Sequence, residues 1–192
     1  MPLLRGEPIL DLGCGPHPRF QNLRAAGQYI GLDFNFNVAK LIGQSVRDLT
    51  PVCADATLMP FRDHVFGVVL CKAVLTSVVY QDSCERVLSE ACRVLRPGGV
   101  LAVADFLENY DDEYFTRRYV EGRANGLPRG AFDVRSREGE LVYTARHFER
   151  RWIQDHIGEY SDLTLVAYTE VPSITRTGRA ITAFMLAAQR AH

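Results

Sequence analysis

The stretch ILDLGCGP, residues 9–16, decides the fold of this chain. An apolar strand with one acidic residue, Asp11, runs into a turn that contains Gly13 and Gly15. Glycine adopts positive φ angles without strain and lets a ligand approach the backbone closely. Because open α/β sheets bind ligands outside the carboxyl ends of their strands, this stretch predicts a cofactor-binding loop after the first strand.

On the carboxyl side of this stretch, short β-rich apolar runs alternate with helical patterns. Such alternation is typical of parallel strands joined by crossover helices. Strands are predicted at 8–12, 29–33, 51–54, 65–71 and 100–106, and helices at 20–26, 38–46 and 83–95. The run 65–71 is continuously apolar, which indicates burial on both faces. Arg96-Pro97-Gly98-Gly99 is expected to end the third helix, because proline cannot continue it.

The pattern changes after residue 106. Residues 107–130 are polar and aromatic with a partly helical pattern, and 131–145 suggest a hairpin around Glu138-Gly139. A helix at 148–157 precedes β-rich runs at 163–171 and 180–188, which are separated by a turn-rich segment at 172–179. Since no helix lies between these runs, they should pair antiparallel. We therefore predict one α/β domain over 1–192, a Rossmann-like, doubly wound, mostly parallel seven-stranded sheet with a terminal antiparallel strand pair.

Composition narrows the class of protein. The net charge is −1 with acids and bases interspersed, so nothing in the sequence favours a nucleic-acid partner. The chain begins without a signal-peptide pattern and has no apolar stretch long enough to span a membrane, so a cytoplasmic location is expected. Its five cysteines form no CxxC pair, and its histidines are scattered. Reduced core thiols and no metal site are therefore expected.

The glycine loop differs from a dinucleotide site. The GxGxxG fingerprint requires glycine at the position of Pro18. Asp11 would repel a pyrophosphate but attract an ammonium group. Asp33 ends the second strand, where a carboxylate can accept hydrogen bonds from both ribose hydroxyls of an adenosine. An adenosine cofactor with an amino-acid moiety and no phosphates, S-adenosylmethionine, fits this combination.

Five motifs, in this order and spacing, resemble those of the class I S-adenosylmethionine-dependent methyltransferases. They are ILDLGCGPHP (9–18), YIGLDFN (29–35), VCADATLMPF (52–61), FGVVLCKAVL (66–75) and RVLRPGGVLAVADF (93–106). The resemblance covers about residues 8–106. It implies that S-adenosylmethionine is the cofactor and that S-adenosylhomocysteine is the product.

The resemblance also implies a set of cofactor-binding residues: Asp11, Gly13, Cys14, Gly15, His17, Asp33, Phe34, Asp55, Ala56, Cys71 and Lys72. Within this set Asp11 would lie at the methionine moiety, Asp33 at the ribose and Asp55 at the adenine amino group. Two alternatives stay open. Asp55 could instead cap the following turn, and His17 could only pack within the loop.

The acceptor side is less defined by sequence. We expect 107–147 to cover the active site over a small-molecule acceptor, with His147 and Tyr143 as the candidate catalytic residues. His147 would serve as a general base if the acceptor must lose a proton. RNA or protein methylation, or a non-catalytic cofactor-binding partner subunit, are the alternatives. A homo-oligomer is also possible from the sequence.

Overall fold

The computed structural model describes residues 6–16, 27–45, 49–160, 162–175 and 178–192. Its elements, in chain order, are β1 (Ile9–Leu12), β2 (Tyr29–Asp33), α1 (Phe36–Ser45), β3 (Leu49–Cys53), β4 (Phe66–Lys72), α2 (Gln81–Val94), β5 (Leu95–Phe106), α3 (Glu113–Ala124), β6 (Ala131–Arg135), β7 (Leu141–Arg146), α4 (Arg150–Glu159), β8 (Leu163–Ile174) and β9 (Ala180–Arg190). The helix predicted at 20–26 lies outside the described residues.

Seven strands form one sheet in the order β3-β2-β1-β4-β5-β9-β8. Strands β1 to β5 pair in parallel, whereas β9 pairs antiparallel with both β5 and β8. The predicted fold class, including its terminal antiparallel pair, is confirmed. The chain extends from β1 to one side and returns through β4 on the other. The strand order therefore reverses between β1 and β4, where sheets of this kind bind ligands.

Both faces of this central strand pair are buried. Side chains alternate along a strand, so Leu10 packs in the same apolar cluster as α2 while Ile9 packs with Ile42 of α1 on the other face. In β4 every residue from Phe66 to Cys71 is buried, as its continuous apolar run predicts. The parallel pairing of β1 with β4 places their carboxyl ends side by side.

Two strand boundaries differ by three residues or more from the sequence-based predictions. Helix α2 ends at Val94, before Pro97, but the next strand begins at Leu95 rather than at residue 100. Its pairing with β4 shifts register between Phe66 and Val68, so the RPGG stretch forms an irregular strand start. Strand β8 also continues to Ile174, into the predicted turn, because it lies at the sheet edge, where proline is tolerated.

The segment 107–147, which we call the cover, holds α3 and the predicted hairpin, now β6 and β7. Phe115 and Tyr119 of α3 pack against Phe132 of β6. Leu107 and Phe148 form a bridge, and the Glu108 N–H donates to the Phe148 carbonyl at 3.0 Å. The cover therefore leaves the sheet and rejoins it at one point, although its role and the single-domain assignment stay predictions.

Helix α3 approaches β6 closely at Gly122, where an added Cβ would lie 2.2 Å from the Ala131 carbonyl oxygen. Gly122→Ala should therefore lower the free energy of unfolding by about 1–3 kcal/mol, because the helix must move. The matched control is Gly158→Ala in α4, where a Cβ meets nothing within 4 Å. This control should be neutral or stabilising by up to about 1 kcal/mol. Equal effects of the two substitutions in denaturant titrations would contradict the close approach.

Candidate functional site

A cavity of about 980 Å³ opens at the carboxyl ends of β1, β4 and β5 and extends beneath the cover. This volume is near the upper end of the range for small-molecule sites. Of the sequence-predicted site residues, the cavity is lined by Asp11, Gly13, Cys14, Gly15, Lys72, Tyr143 and His147. The structure therefore brings the predicted cofactor loop and the predicted acceptor residues to one space. His17 lies outside the described residues.

The loop after β1 depends on its glycines. Gly13 and Gly15 have φ angles of 57° and 62°, in the left-handed region that favours glycine. A Cβ at Gly13 would also lie 2.8 Å from a methyl carbon of Val74. The N–H of Cys14 donates to the Leu32 carbonyl at 3.2 Å, which attaches the loop to β2. The turn expected from the sequence is therefore held in place by backbone contacts.

Asp11 is a buried carboxylate at the cavity wall, 3% exposed. The Tyr29 hydroxyl donates to its Oδ2 at 2.6 Å. Burial raises the pKa of Asp11 to about 6, although the Tyr29 hydrogen bond and the charge of Lys72 both act to lower it. A cationic group placed in the cavity beside Asp11 would recover part of the free energy lost by burying this charge.

Asp33 joins the loop to the end of β2. Its Oδ2 accepts from the Gly15 N–H at 3.0 Å and its Oδ1 from the Asn35 N–H at 2.9 Å. A carboxylate oxygen has two acceptor positions, so both oxygens can still accept a hydroxyl proton. Phe34, the next residue, is 79% exposed and offers an uncovered ring at the same edge of the sheet.

Asp55, in the third predicted motif, caps a turn and is also predicted to contact adenine. Asp55 Oδ1 accepts from both the N–H and the hydroxyl of Thr57 at 2.8 Å, which is the turn-capping arrangement. The neighbouring turn is attached to β2 because the Ala54 N–H donates to the Asp33 carbonyl at 3.2 Å. Ala56 packs partly against the core. An adenine contact by Asp55 and Ala56 stays a prediction.

Cys71 and Lys72, the last two residues of β4, are placed differently. Lys72 lines the cavity. Cys71 packs in the core at 1% exposure, and burial raises the pKa of its thiol well above the ordinary value. Its side chain therefore belongs to the core and not to the cavity wall. Cys14, Cys84 and Cys92 are also buried free thiols, whereas Cys53 is exposed, unlike the expected core position.

Two charged residues that line the cavity were missed by the sequence analysis. Asp105 is the second-last residue of β5 and is buried, and its oxygens accept from the backbone N–H groups of Thr76 and Phe106, each at 2.9 Å. Burial outweighs these hydrogen bonds and raises the pKa of Asp105 to about 7. An acid at the end of an apolar run next to β4 was a usable signal. Arg118 of α3 also lines the cavity, but no sequence motif marks it.

His147 and Tyr143 lie on the cover side of the cavity. The His147 ring is 4% exposed, and its Nδ1 lies 2.6 Å from the Tyr119 hydroxyl oxygen. Burial, reinforced by the charge of Arg118, lowers the pKa of His147 to about 3. Tyr143 on β7 is 41% exposed. Their catalytic roles stay predictions.

Within the described ranges, no group of three or more histidine, cysteine or acidic side chains could hold a metal ion. In the same part of the chain, no helix is long and apolar enough to cross a membrane.

Comparison with known proteins identifies the class. Residues 10–103 match the family model described as "Methyltransferase domain". A solved S-adenosylmethionine-dependent methyltransferase from Methanosarcina mazei superposes with a TM-score of 0.90 at 24% identity, covering 97% of this chain and 93% of the other. Residues 10–103 therefore belong to a methyltransferase domain, as the five motifs predict, and the chain shares the fold of that solved S-adenosylmethionine-dependent methyltransferase.

Within this family, the chain is similar to a demethylmenaquinone methyltransferase of Mycolicibacterium paratuberculosis. The two are 33% identical over 147 residues, which is 77% of this chain but 61% of the relative's length. A Burkholderia thailandensis 1,6-didemethyltoxoflavin-N1-methyltransferase superposes with a TM-score of 0.65 at 15% identity, covering 98% of this chain and 72% of the other. That structure holds 1,6-didemethyltoxoflavin and S-adenosylhomocysteine.

The depressed pKa of His147 should appear in the pH dependence of stability. Between about pH 6.5 and pH 3 the unfolded chain binds a proton at this histidine that the folded chain does not. Stability should therefore fall as the pH drops through this range, by up to about 1.4 kcal/mol per pH unit from this residue. His147→Gln should remove that contribution, while the control His192→Gln at the exposed chain end should retain it.

The quantity to measure is the difference in unfolding free energy between each variant and the parent from pH 4 to pH 8. Asp11 and Asp105 have raised pKa values, so both favour the folded state at low pH, and their effect cancels in this difference. A pH-independent difference for His147→Gln would contradict the depressed pKa.

Proposed function

We propose that this chain transfers the methyl group of S-adenosylmethionine to a small-molecule acceptor bound beneath the cover. The observation that carries the proposal is that one continuous cavity is lined both by Asp11 at the glycine loop and by His147 of the cover. The similarity to an enzyme named for demethylmenaquinone supports a small molecule rather than a macromolecule as acceptor. The four buried free thiols support the reduced, cytoplasmic setting expected from the sequence.

In this proposal the loop half of the cavity binds the cofactor. Asp11 faces the methionine ammonium, Gly13 and Gly15 allow the backbone to approach the methionine moiety, and Lys72 lies beside the same end. Asp33 accepts the ribose hydroxyls with the acceptor positions that its two backbone partners leave open. Asp55 and Ala56 lie at adenine, with the exposed ring of Phe34 nearby.

The proposed reaction is an in-line displacement. A lone pair of the acceptor forms a bond to the methyl carbon as the C–S bond breaks, and the electron pair of that bond stays on sulfur. The sulfonium charge already activates the leaving group, so the protein acts mainly by alignment and water exclusion. Such positioning supplies about 7–11 kcal/mol in favourable cases. Tyr143 and His147 are the cover residues that we place near the acceptor.

Two other functions remain as alternatives. RNA or protein could be the acceptor, or the chain could bind the cofactor without transferring methyl. Calorimetry with S-adenosylmethionine and S-adenosylhomocysteine, followed by a tritium-methyl screen of metabolite, RNA and protein pools, separates these functions. Label in a small-molecule fraction is expected. Failure to bind either ligand would rule out all three functions.

Substitution at Asp11 tests the cofactor half. Asp11→Asn should weaken S-adenosylmethionine binding by about ten- to a hundredfold, the loss expected for one charge-assisted hydrogen bond. Binding to the parent should also weaken below about pH 6, as the Asp11 carboxyl gains a proton, and this dependence should disappear in the variant. Asp155→Asn on the exposed face of α4 is the control. Equal affinities of the two variants in calorimetry would contradict the role of Asp11.

Removal of the cover tests the division of the cavity. A chain with residues 110–145 replaced by a short glycine-serine linker should bind S-adenosylhomocysteine with near-parental affinity but lose methyl transfer. The linker is feasible because residues 107 and 148 are bridge partners. Circular dichroism would establish that the shortened chain is folded. Loss of cofactor binding in that folded chain would refute the assignment of 107–147 to the acceptor.

A further inference from the structure

The described side chains that line the cover side of the cavity carry positive charge and no negative charge. Arg118 of α3 lines this side, together with the rings of Phe115 and Phe132 and the half-exposed Tyr143. Among the described lining residues, the only carboxylates are Asp11 and Asp105, which lie at the ends of sheet strands and not on the cover. The acceptor half is therefore a mainly aromatic space with one fixed positive charge.

That positive charge is held in place but not neutralised. One guanidinium N–H of Arg118 donates to the Tyr114 hydroxyl and another to the Asp133 main-chain carbonyl at 2.7 Å. The guanidinium carbon lies 4.9 Å and 5.1 Å from the ring centroids of Tyr114 and Phe132. These partners are all uncharged, and no described carboxylate lies within ion-pair distance of Arg118. Three of its five N–H groups remain for a ligand.

The hydrogen bonds of Tyr119 determine which nitrogen of His147 carries the proton. The Asn109 N–H donates to the Tyr119 oxygen at 3.2 Å, so that oxygen already accepts one hydrogen bond. Tyr119 must place its own proton on a partner, and the His147 Nδ1 at 2.6 Å is the acceptor in reach. Nδ1 is then unprotonated, and the proton of the neutral imidazole sits on Nε2.

His147 therefore presents an N–H group to the cavity rather than a basic nitrogen. Among the described residues, its Nε2 has no protein hydrogen-bond partner. Nε2 is also not one of the fully buried side-chain atoms that lack a hydrogen-bond partner. His147 and Arg118 also border the same ring, because the His147 centroid lies 4.9 Å from that of Phe132. Two hydrogen-bond donors, one of them charged, thus flank one aromatic wall.

We propose that the methyl acceptor is an organic anion, a carboxylate or phenolate on an aromatic frame, whose oxygen binds Arg118 and accepts a hydrogen bond from the His147 Nε2–H. The inference rests on the proposed function and defines its substrate class. It revises the sequence-based role of His147 from general base to hydrogen-bond donor. A carboxylate matches a guanidinium in geometry and charge, and the rings supply apolar contact for the frame.

The test compares matched probes on the full chain saturated with S-adenosylhomocysteine. Salicylate and naphthoate are titrated calorimetrically against salicylamide and naphthamide, which have the same frames without the charge. We expect the parent to bind the carboxylates about tenfold or more tightly than the amides. Arg118→Gln should abolish this preference, and Arg118→Lys should keep part of it. The control is Arg117→Gln, an exposed neighbour on α3 paired with Glu121 at 3.7 Å.

The outcomes separate this proposal from the proposed function. Equal binding of carboxylates and amides, no binding of any carboxylate at millimolar concentration, or equal effects of Arg118→Gln and Arg117→Gln would overturn the anion proposal. Failure of the parent to bind S-adenosylhomocysteine would instead overturn the cofactor assignment. Ring ¹⁵N NMR should show His147 protonated at Nε2 and not at Nδ1 from about pH 5 to pH 8. Protonation at Nδ1 would refute the donor role.

Discussion

The structure depends on the parallel pairing of β1 with β4 at the centre of the sheet. Ile9 to Leu12 pair with Val68 to Cys71, and both faces of this pair are buried. Parallel strands are joined by chain that crosses over the sheet, and the strand order reverses between β1 and β4. The result is a crevice at the carboxyl ends of the pair. The glycine loop, Asp11 and the floor of the cavity all follow from this arrangement.

The five parallel strands and the cofactor loop were predictable from local sequence patterns. Apolar runs, the glycine turn and the acid at the end of β2 predicted five parallel strands and the cofactor loop, because each signal lies within a few residues. The boundary of β5 and the length of β8 were not predictable. Pairing with β4 and β9 extends these strands through Pro97 and Pro172, which local pattern assigns to turns.

The site residues were likewise predictable only where their signal is local in the sequence. Asp11 and Asp33 follow strands and were predictable from position, whereas the placement of Arg118 depends on how α3 lies over the sheet. His147 was selected from sequence as a cleft residue, but its hydrogen bond with Tyr119 spans 28 positions and has no local signal. The sequence therefore indicated that His147 would face the cavity, but only long-range packing indicates which nitrogen of its ring carries the proton.

The cofactor half and the acceptor half of the cavity carry charges of opposite sign. Asp11 and Asp105 are buried on the sheet side, and burial raises both pKa values, although the charge of Lys72 acts to lower that of Asp11. Arg118, on the cover side, has only uncharged partners among the described residues. In the proposed complex the cationic cofactor lies against the acids and the anionic acceptor against the guanidinium. The cationic cofactor then offsets part of the cost of burying Asp11, and the anionic acceptor supplies the charged partner that Arg118 lacks among the described residues.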